Sequence, residues 1–355
     1  MAQEPAEITL DIQPESRIDV IDVSNKIREA APGFLEAYPK TTYTSYHTTA
    51  GYFEQVFAKR LGNKETMKAY LGSFQGLFPE GADYRHDQME YRDELTEDQK
   101  LVEPLNADSH LTFIGSGLES TVTYKNEPEN PVYFVDLDGV SRNSRRTRRT
   151  TALGYNKDEV VDQFYIEIPV SSHPIDSINL WDPSLGLFDR LHELIRIHGL
   201  DRGRIDIALD PNERNTGLTV NEYETMLMRH DLADVLRSPI RFMAQRGRNM
   251  LRDPMSIKEK AKDYAKYDLV HVVNKFIDKA GLSESLIERI IDKLVQVPAQ
   301  RFLRMKRGVS LVVDGAGADT PGRIIAGTYQ SPILVQWRRA SGGVRRVAVT
   351  YTRYV

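Results

Sequence analysis

No cysteine occurs among the 355 residues. That absence excludes disulfides, thiolate metal ligands and a cysteine nucleophile. The chain also lacks any run approaching the ~18 apolar residues that span a bilayer. Its first residues, "MAQEPAEITLDIQ", have neither the basic region nor the apolar region of a secretory signal. Strong charge of one sign is missing too. A net charge of −4 and a pI near 6.1 give no global attraction to nucleic acid or to an anionic membrane. The expectation is a cytoplasmic protein with no membrane partner, whose chemistry uses His, carboxylates, hydroxyls, amides or Arg. Its composition, 40% hydrophobic and 28% charged, is ordinary for a globular protein, and its length accommodates two domains.

Three textures follow one another. Residues 7–124 mix strands and helices: "ITLDIQ" alternates, "IDVIDVSNKIREAA" runs from strand into helix, "TTYTSYHTTAGYF" is β-branched and aromatic, and "GYFEQVFAKRLG" has helical spacing. The stretch 125–307 reads as more helical. "LGLFDRLHELIRIHGL" places Leu187, Leu191, Leu194 and Ile195 on one face and stops at Gly199. Two long helices are predicted further on, "SIKEKAKDYAKYDLVHVVNKFIDKAG" and "SESLIERIIDKLVQV", the second with Ser285 and Glu288 at capping-box spacing. Residues 308–355 return to strand texture and predict an antiparallel meander of three or four strands. The expected organisation is thus a core formed by 1–124 and 308–355, interrupted by a mainly helical inserted domain at 125–307. No internal repeat is visible.

Three histidines lie in the first stretch: His47 in "SYHTTAG", His86 in "DYRHDQ" and His110 in "NADSHLTFIGSG". Their spacing matches no local metal motif. On spacing alone each reads as a hydrogen-bonded core or surface residue, although segments around strand ends are where functional side chains converge.

The segments "YHTTAG", "YRHD", "NADSHL" with Gly117 beyond it, and "GRIIAGTYQSPI", closed by the basic strand "VRRVAVTY", occur in an order that resembles the YjbQ family. Members of that family are also called secondary thiamine-phosphate synthase enzymes. The resemblance covers 7–124 and about 308–355 and is silent on the middle. Two departures stand out. The family usually has Trp where this chain has Tyr329, and an Asn-Glu pair commonly follows the first His motif, where this chain reads "YFEQV" with Glu54 placed differently.

The resemblance implies an α+β fold, a mixed core with a mainly antiparallel sheet. It also implies trimers, a histidine-lined pocket near the subunit interface, and a weak transferase activity. That activity joins a pyrimidine pyrophosphate to a thiazole phosphate with loss of pyrophosphate. In such a pocket His47, His86 and His110 would ligate a divalent metal, zinc or magnesium, or act as acid and base, with Asp87 orienting one ring. Thr328, Tyr329 and Gln330 would contact a small phosphorylated or heteroaromatic substrate. An arginine, Arg345 first, would bind phosphate. The alternative is a non-catalytic ligand-binding scaffold that signals to a protein partner through the helical insert.

Other motifs read blandly. "SRNSRRTRRTTALG" holds five arginines but no aromatic for base stacking, and reads as a solvated loop, with nucleic acid not expected as a partner. "DPNERNTGLTVNE" approximates a calcium loop but has Gly217 misplaced and follows a strand. "VDLDGVSR" carries a lone Asp-x-Asp-Gly, common at strand ends.

Overall fold

The computed structural model describes residues 3–93, 95–141, 144–237, 303–315 and 322–355. The two long helices expected between 256 and 297 lie outside the described residues. The fold is α+β, and among the described residues its strands pair antiparallel throughout.

In the first half, β1 (Ala6–Ile12), β3 (Lys40–Ser45), β5 (Thr121–Lys125) and β9 (Arg148–Tyr155) form a sheet in the order β1-β9-β3-β5. A second sheet, β2-β6-β4, joins β2 (Asp19–Asp22), β4 (Ala50–Gly51) and β6 (Tyr133–Asp136). Between β6 and β9 stands a small hairpin of β7 (Val140–Ser141) and β8 (Ser144–Arg145). The alternating sequence of β1 buries alternate side chains, as a half-covered strand should. As expected, "IDVIDVSNKIREAA" turns from β2 into helix α1 (Val23–Ala30), started by the Asp22 carboxylate accepting from Asn25 N at 2.9 Å. Helices α2 (Phe34–Ala37), α3 (Gln55–Leu61), α4 (Lys64–Leu77), α5 (Glu97–Val102) and α6 (Ala107–Ser116) complete this half.

The second half contains β10 (Asp158–Pro169), β11 (Asp176–Asn179), helix α7 (Leu187–Ile197), β12 (Arg202–Leu209) and β13 (Thr216–Asn221). It continues with helix α8 (Leu232–Arg237), β14 (Gly308–Asp314), β15 (Arg323–Ile325), β16 (Ser331–Gln336) and β17 (Val344–Tyr354). Its sheets run β10-β17-β12-β14-β15 and β11-β16-β13. Helix α7 buries Leu187, Leu191 and Ile195, and Gly199 ends it at φ +53, the left-handed conformation that a stop signal needs.

The pairing departs from the sequence reading in two places. Residue 125 does not divide two units, because β9 inserts between β1 and β3 and completes the first sheet. The described part of 125–307 holds more strand than helix. Residues 308–355 are not a meander either: β14 pairs with β15, but β16 joins β11 and β13, and β17 lies between β10 and β12.

Each half has its own apolar core, around Tyr43, Tyr52 and Phe134 in the first and Ile205, Leu191 and Val349 in the second. A third cluster joins them, with Phe74, Phe78 and Ile114 packed against Leu227, Leu232 and Ile333. Burying each such side chain stabilises by about 1.5–3 kcal/mol, so the halves are held face to face by a true core. At another meeting point Tyr155 stacks on Tyr354 with ring centroids 3.9 Å apart. No helix among the described residues is long and apolar enough to cross a membrane.

Candidate metal centre at the junction of the halves

Helix α6 is buried along its whole length and ends at Gly117, whose φ of +78 suits glycine; a side chain there would begin 2.9 Å from Arg304 O. His110, in the middle of this helix, is 1% exposed. Its Nδ1 lies 2.7 Å from Asn221 Oδ1, at the end of β13 in the other half. Asn221 Nδ2 donates to Thr48 O at 2.8 Å, which fixes the amide orientation and makes the atom facing His110 the oxygen. The imidazole therefore carries its proton on Nδ1, and Nε2 offers a lone pair. That Nε2 faces Glu222 Oε2 at 3.7 Å.

His86 reaches the same place from a loop. Its backbone N–H and that of Arg85 donate to the Asp231 carboxylate at 3.0 and 2.9 Å, so the second half anchors this loop too. Its Nδ1 is 2.8 Å from Asp87 Oδ1, an oxygen that also accepts from Ala107 N at the start of α6 at 3.1 Å. In the neutral ring Nδ1–H donates to this carboxylate, which puts the lone pair on Nε2. That nitrogen is buried and has no hydrogen-bond partner among the described residues. The two rings lie 5.3 Å apart, and one donor atom from each of His86, His110 and Glu222 lies within 4.8 Å of the others. Bonds of ~2.1 Å need ligand atoms closer together than this.

The electrostatics separate the two rings. Burial, then the neighbouring His86, push His110 down to about 3, against the opposing Asn221 hydrogen bond, so His110 is neutral at ordinary pH. Burial also pushes His86 down, but the hydrogen bond and charge of Asp87 outweigh it and the net shift is upward. Burial raises Glu222 above the usual carboxylate range. Two imidazoles with Nδ1 already engaged and a partly buried carboxylate are donor types that an open three-ligand zinc site would use.

His47 does not join this cluster. Its Nε2 accepts the Arg149 N–H at 2.8 Å, so that nitrogen is not free to ligate. Burial, then the charges of Arg148, Arg146 and Arg149, hold its pKa down to about 4. The folded value lies below the reference value of 6.5, so the unfolded chain takes up this proton first as pH falls. The group's contribution to stability is intact above about 6.5 and is lost between about 6.5 and about 4. In proton NMR titration the His47 ring is expected to change state near pH 4; a midpoint above 6 would show that the arginines and burial do not act on it as described.

The C-terminal motif divides. Thr328 is exposed and Tyr329 is 69% exposed, available for stacking. Gln330 is buried, and its amide is fully engaged: Nε2 donates to Ser45 O and His47 O at 2.9 and 3.0 Å, and Oε1 accepts from Gly327 N at 2.8 Å. It holds the His47 loop and has no polar atom left for a substrate. Gly327 is required by that contact, since a side chain would begin 2.0 Å from Tyr46 O. Arg345 is also internal, donating to Glu213 Oε2 at 2.7 Å, to Gln336 Oε1 at 3.3 Å and to the carbonyls of Arg214 and Arg338. In the arginine-rich loop, Arg146 pairs with Asp138 at 2.8 Å and Arg148 with Asp136 at 2.7 Å. A cavity of about 460 Å³ lies elsewhere, among Arg28, Leu35, Tyr38, Tyr43 and Asn126, and contains none of the histidines.

Asn221 is missed by the sequence reading, and Glu222 enters it only as the last residue of the calcium-like loop. The available signal was the "TVNE" run, an Asn-Glu pair of the kind that the resemblance places after its His-Thr segment, here carried by the other half of the chain.

No protein-family model matches the chain, and no curated protein matches it. Solved structures are similar to about half of it. A hypothetical protein of Aeropyrum pernix K1 is 15% identical, covering 54% of this chain and 98% of its own, with a TM-score of 0.29. A YbjQ-like protein of unknown function from Sulfolobus solfataricus P2 is 13% identical, covering 56% and 99%, also with a TM-score of 0.29. An uncharacterized YjbQ-family protein of Clostridium acetobutylicum is 12% identical, covering 53% and 98%, with a TM-score of 0.24.

Proposed function

We propose that the chain is a metal-dependent enzyme centred on His86, His110 and Glu222, acting on a small phosphorylated or heteroaromatic substrate. The observation that carries this reading is the convergence of two bare Nε2 atoms and a carboxylate whose partners, Asp87 and Asn221, already fix both rings. A buried unpartnered nitrogen such as His86 Nε2 costs about 1–3 kcal/mol, which a bound ion would recover. A divalent ion held there would polarise a phosphoryl or carbonyl oxygen, or acidify a water.

The rest is the work of this chain's residues. Asp87 and Asn221 orient the ligands, and Gln330 and Asn221 together fix the His47 loop beside them. Tyr329 presents an exposed ring for a heteroaromatic group. Neutral His47 stands ready as an acceptor if the Arg149 N–H releases it. A weak thiamine-phosphate-forming transfer fits this substrate class, and the trimer implied by the resemblance belongs to the same proposal.

The test is an inventory of metal and small molecules in the purified protein, followed by zinc titration and an assay of pyrimidine pyrophosphate with thiazole phosphate. One tightly bound ion per chain and metal-dependent turnover are expected. Absence of metal binding would overturn the reading. A retained metabolite left chemically unchanged would instead favour the binding scaffold.

A further inference from the structure

We infer that the chain is two copies of one fold in tandem, and that the centre is assembled by their junction: the first copy gives the imidazoles, and the second gives the amide and carboxylate that complete it. This deepens the metal reading above and rests on it for the ligand set.

Replacing β1, β9, β3 and β5 by β10, β17, β12 and β14 turns the first large sheet into the first four strands of the other, which adds β15 at its edge, and replacing β2, β6 and β4 by β11, β16 and β13 turns one small sheet into the other. The registers agree residue by residue. Asp19 and Ala50 both face Asp136, as Asp176 and Thr216 both face Gln336. One step on, Gly51 faces Val135 and Gly217 faces Val335. Both glycines are sterically required, since a side chain would begin 2.3 Å from Glu119 O at the first and 2.8 Å from Met305 Cβ at the second. The next residues form isolated bridges, Tyr52 with Glu119 and Leu218 with Lys306.

Side-chain contacts repeat with changed chemistry. Arg148 donates to Asp136 as Arg345 donates to Gln336. The N–H of Arg149 reaches His47 Nε2 as that of Arg346 reaches Glu213 Oε1. Four kinds of agreement, in order, register, glycine need and contact, leave little room for chance likeness of two sheets.

Two consequences bear on the site. The alignment places Asn221 and Glu222 opposite Gln55 and Val56 of the first copy. Gln55 is bonded to the Lys125 backbone through both ends of its amide, and Val56 cannot ligate, so the mirrored place lacks its carboxylate. One centre per chain is expected. Second, the equivalent residues Glu119 and Lys306 pair with each other at 2.7 Å across the junction. This pair is not part of the ligand set, yet it helps to set how the copies meet.

The experiment is zinc titration of full-length protein with Glu119→Lys, Lys306→Glu and the double reversal, alongside nitrogen-resolved NMR of the His110 ring without metal. Wild type should bind one equivalent. Each single reversal should weaken zinc by about 10-fold or more, the scale of an outer-shell loss, and shift the His110 Nδ1–H signal; the double reversal should recover to within about threefold. Two equivalents per chain, unchanged affinity in the singles, or no recovery in the double would overturn the inference. If the singles fail to fold, the double reversal alone decides, by recovery or its absence. If wild type binds no zinc, the metal reading falls, and the His110 signal still tests the junction: unmoved by Glu119→Lys, it overturns this inference as well.

Discussion

Glu222→Gln is expected to lower zinc affinity more than about 100-fold while leaving the metal-free protein as stable as wild type or slightly more so. The two effects have opposite signs for one reason. The carboxylate is drawn partly out of water and burial raises its pKa, so in the metal-free fold its charge is a cost. An amide of the same shape removes that cost, but it also removes the charged ligand. Loss of an outer-shell partner alone typically weakens metal binding 10–100-fold, and loss of a direct ligand should exceed that. Calorimetric zinc titration and thermal unfolding in chelator measure the two sides. Zinc affinity within threefold of wild type would remove Glu222 from the centre. A large drop in metal-free stability would make it a structural residue instead.

The largest loss of stability should come from Arg148→Met. Arg148 holds Asp136 through Nε and Nη2 at 2.7 and 3.0 Å, and the same guanidinium donates to Thr49 Oγ1 and Asp138 O. Asp136 is fully buried, so removing the cation leaves an uncompensated charge in the interior, a change that costs about 3–5 kcal/mol. Arg345→Met, at the equivalent place in the second half, should cost less. There the facing residue is the neutral Gln336, and the carboxylate partner Glu213 is partly solvated. Urea unfolding of both variants gives the comparison. A loss under about 1 kcal/mol for Arg148→Met would mean that Asp136 takes up a proton or finds water in place of the arginine.

Local structure was legible in the sequence where neighbours along the chain decide it. The strand-to-helix turn at Asp22, the helix after β4 and the amphipathic α7 with its Gly199 stop all follow from spacing and caps. Partners were not legible. The texture of 308–355 announces strands but cannot say that β16 and β17 belong to different sheets, because each pairs with strands far upstream. The repeat escaped for a related reason. Its two copies keep positions and not residue types, with His47 answering to Glu213 and Asp136 to Gln336. Of the three expected imidazoles, His86 and His110 do converge, His47 stands apart on an arginine N–H, and the missing donor comes from the other half.

Asn221 is a single, wholly buried amide that touches three segments at once: the His110 ring, the Thr48 carbonyl and the Glu222 N–H. It works like a rivet through overlapping plates. Helix, loop and strand cannot drift separately while it is in place, so a ligand pressing on the His47 loop would be felt at the imidazole of His110 through one side chain.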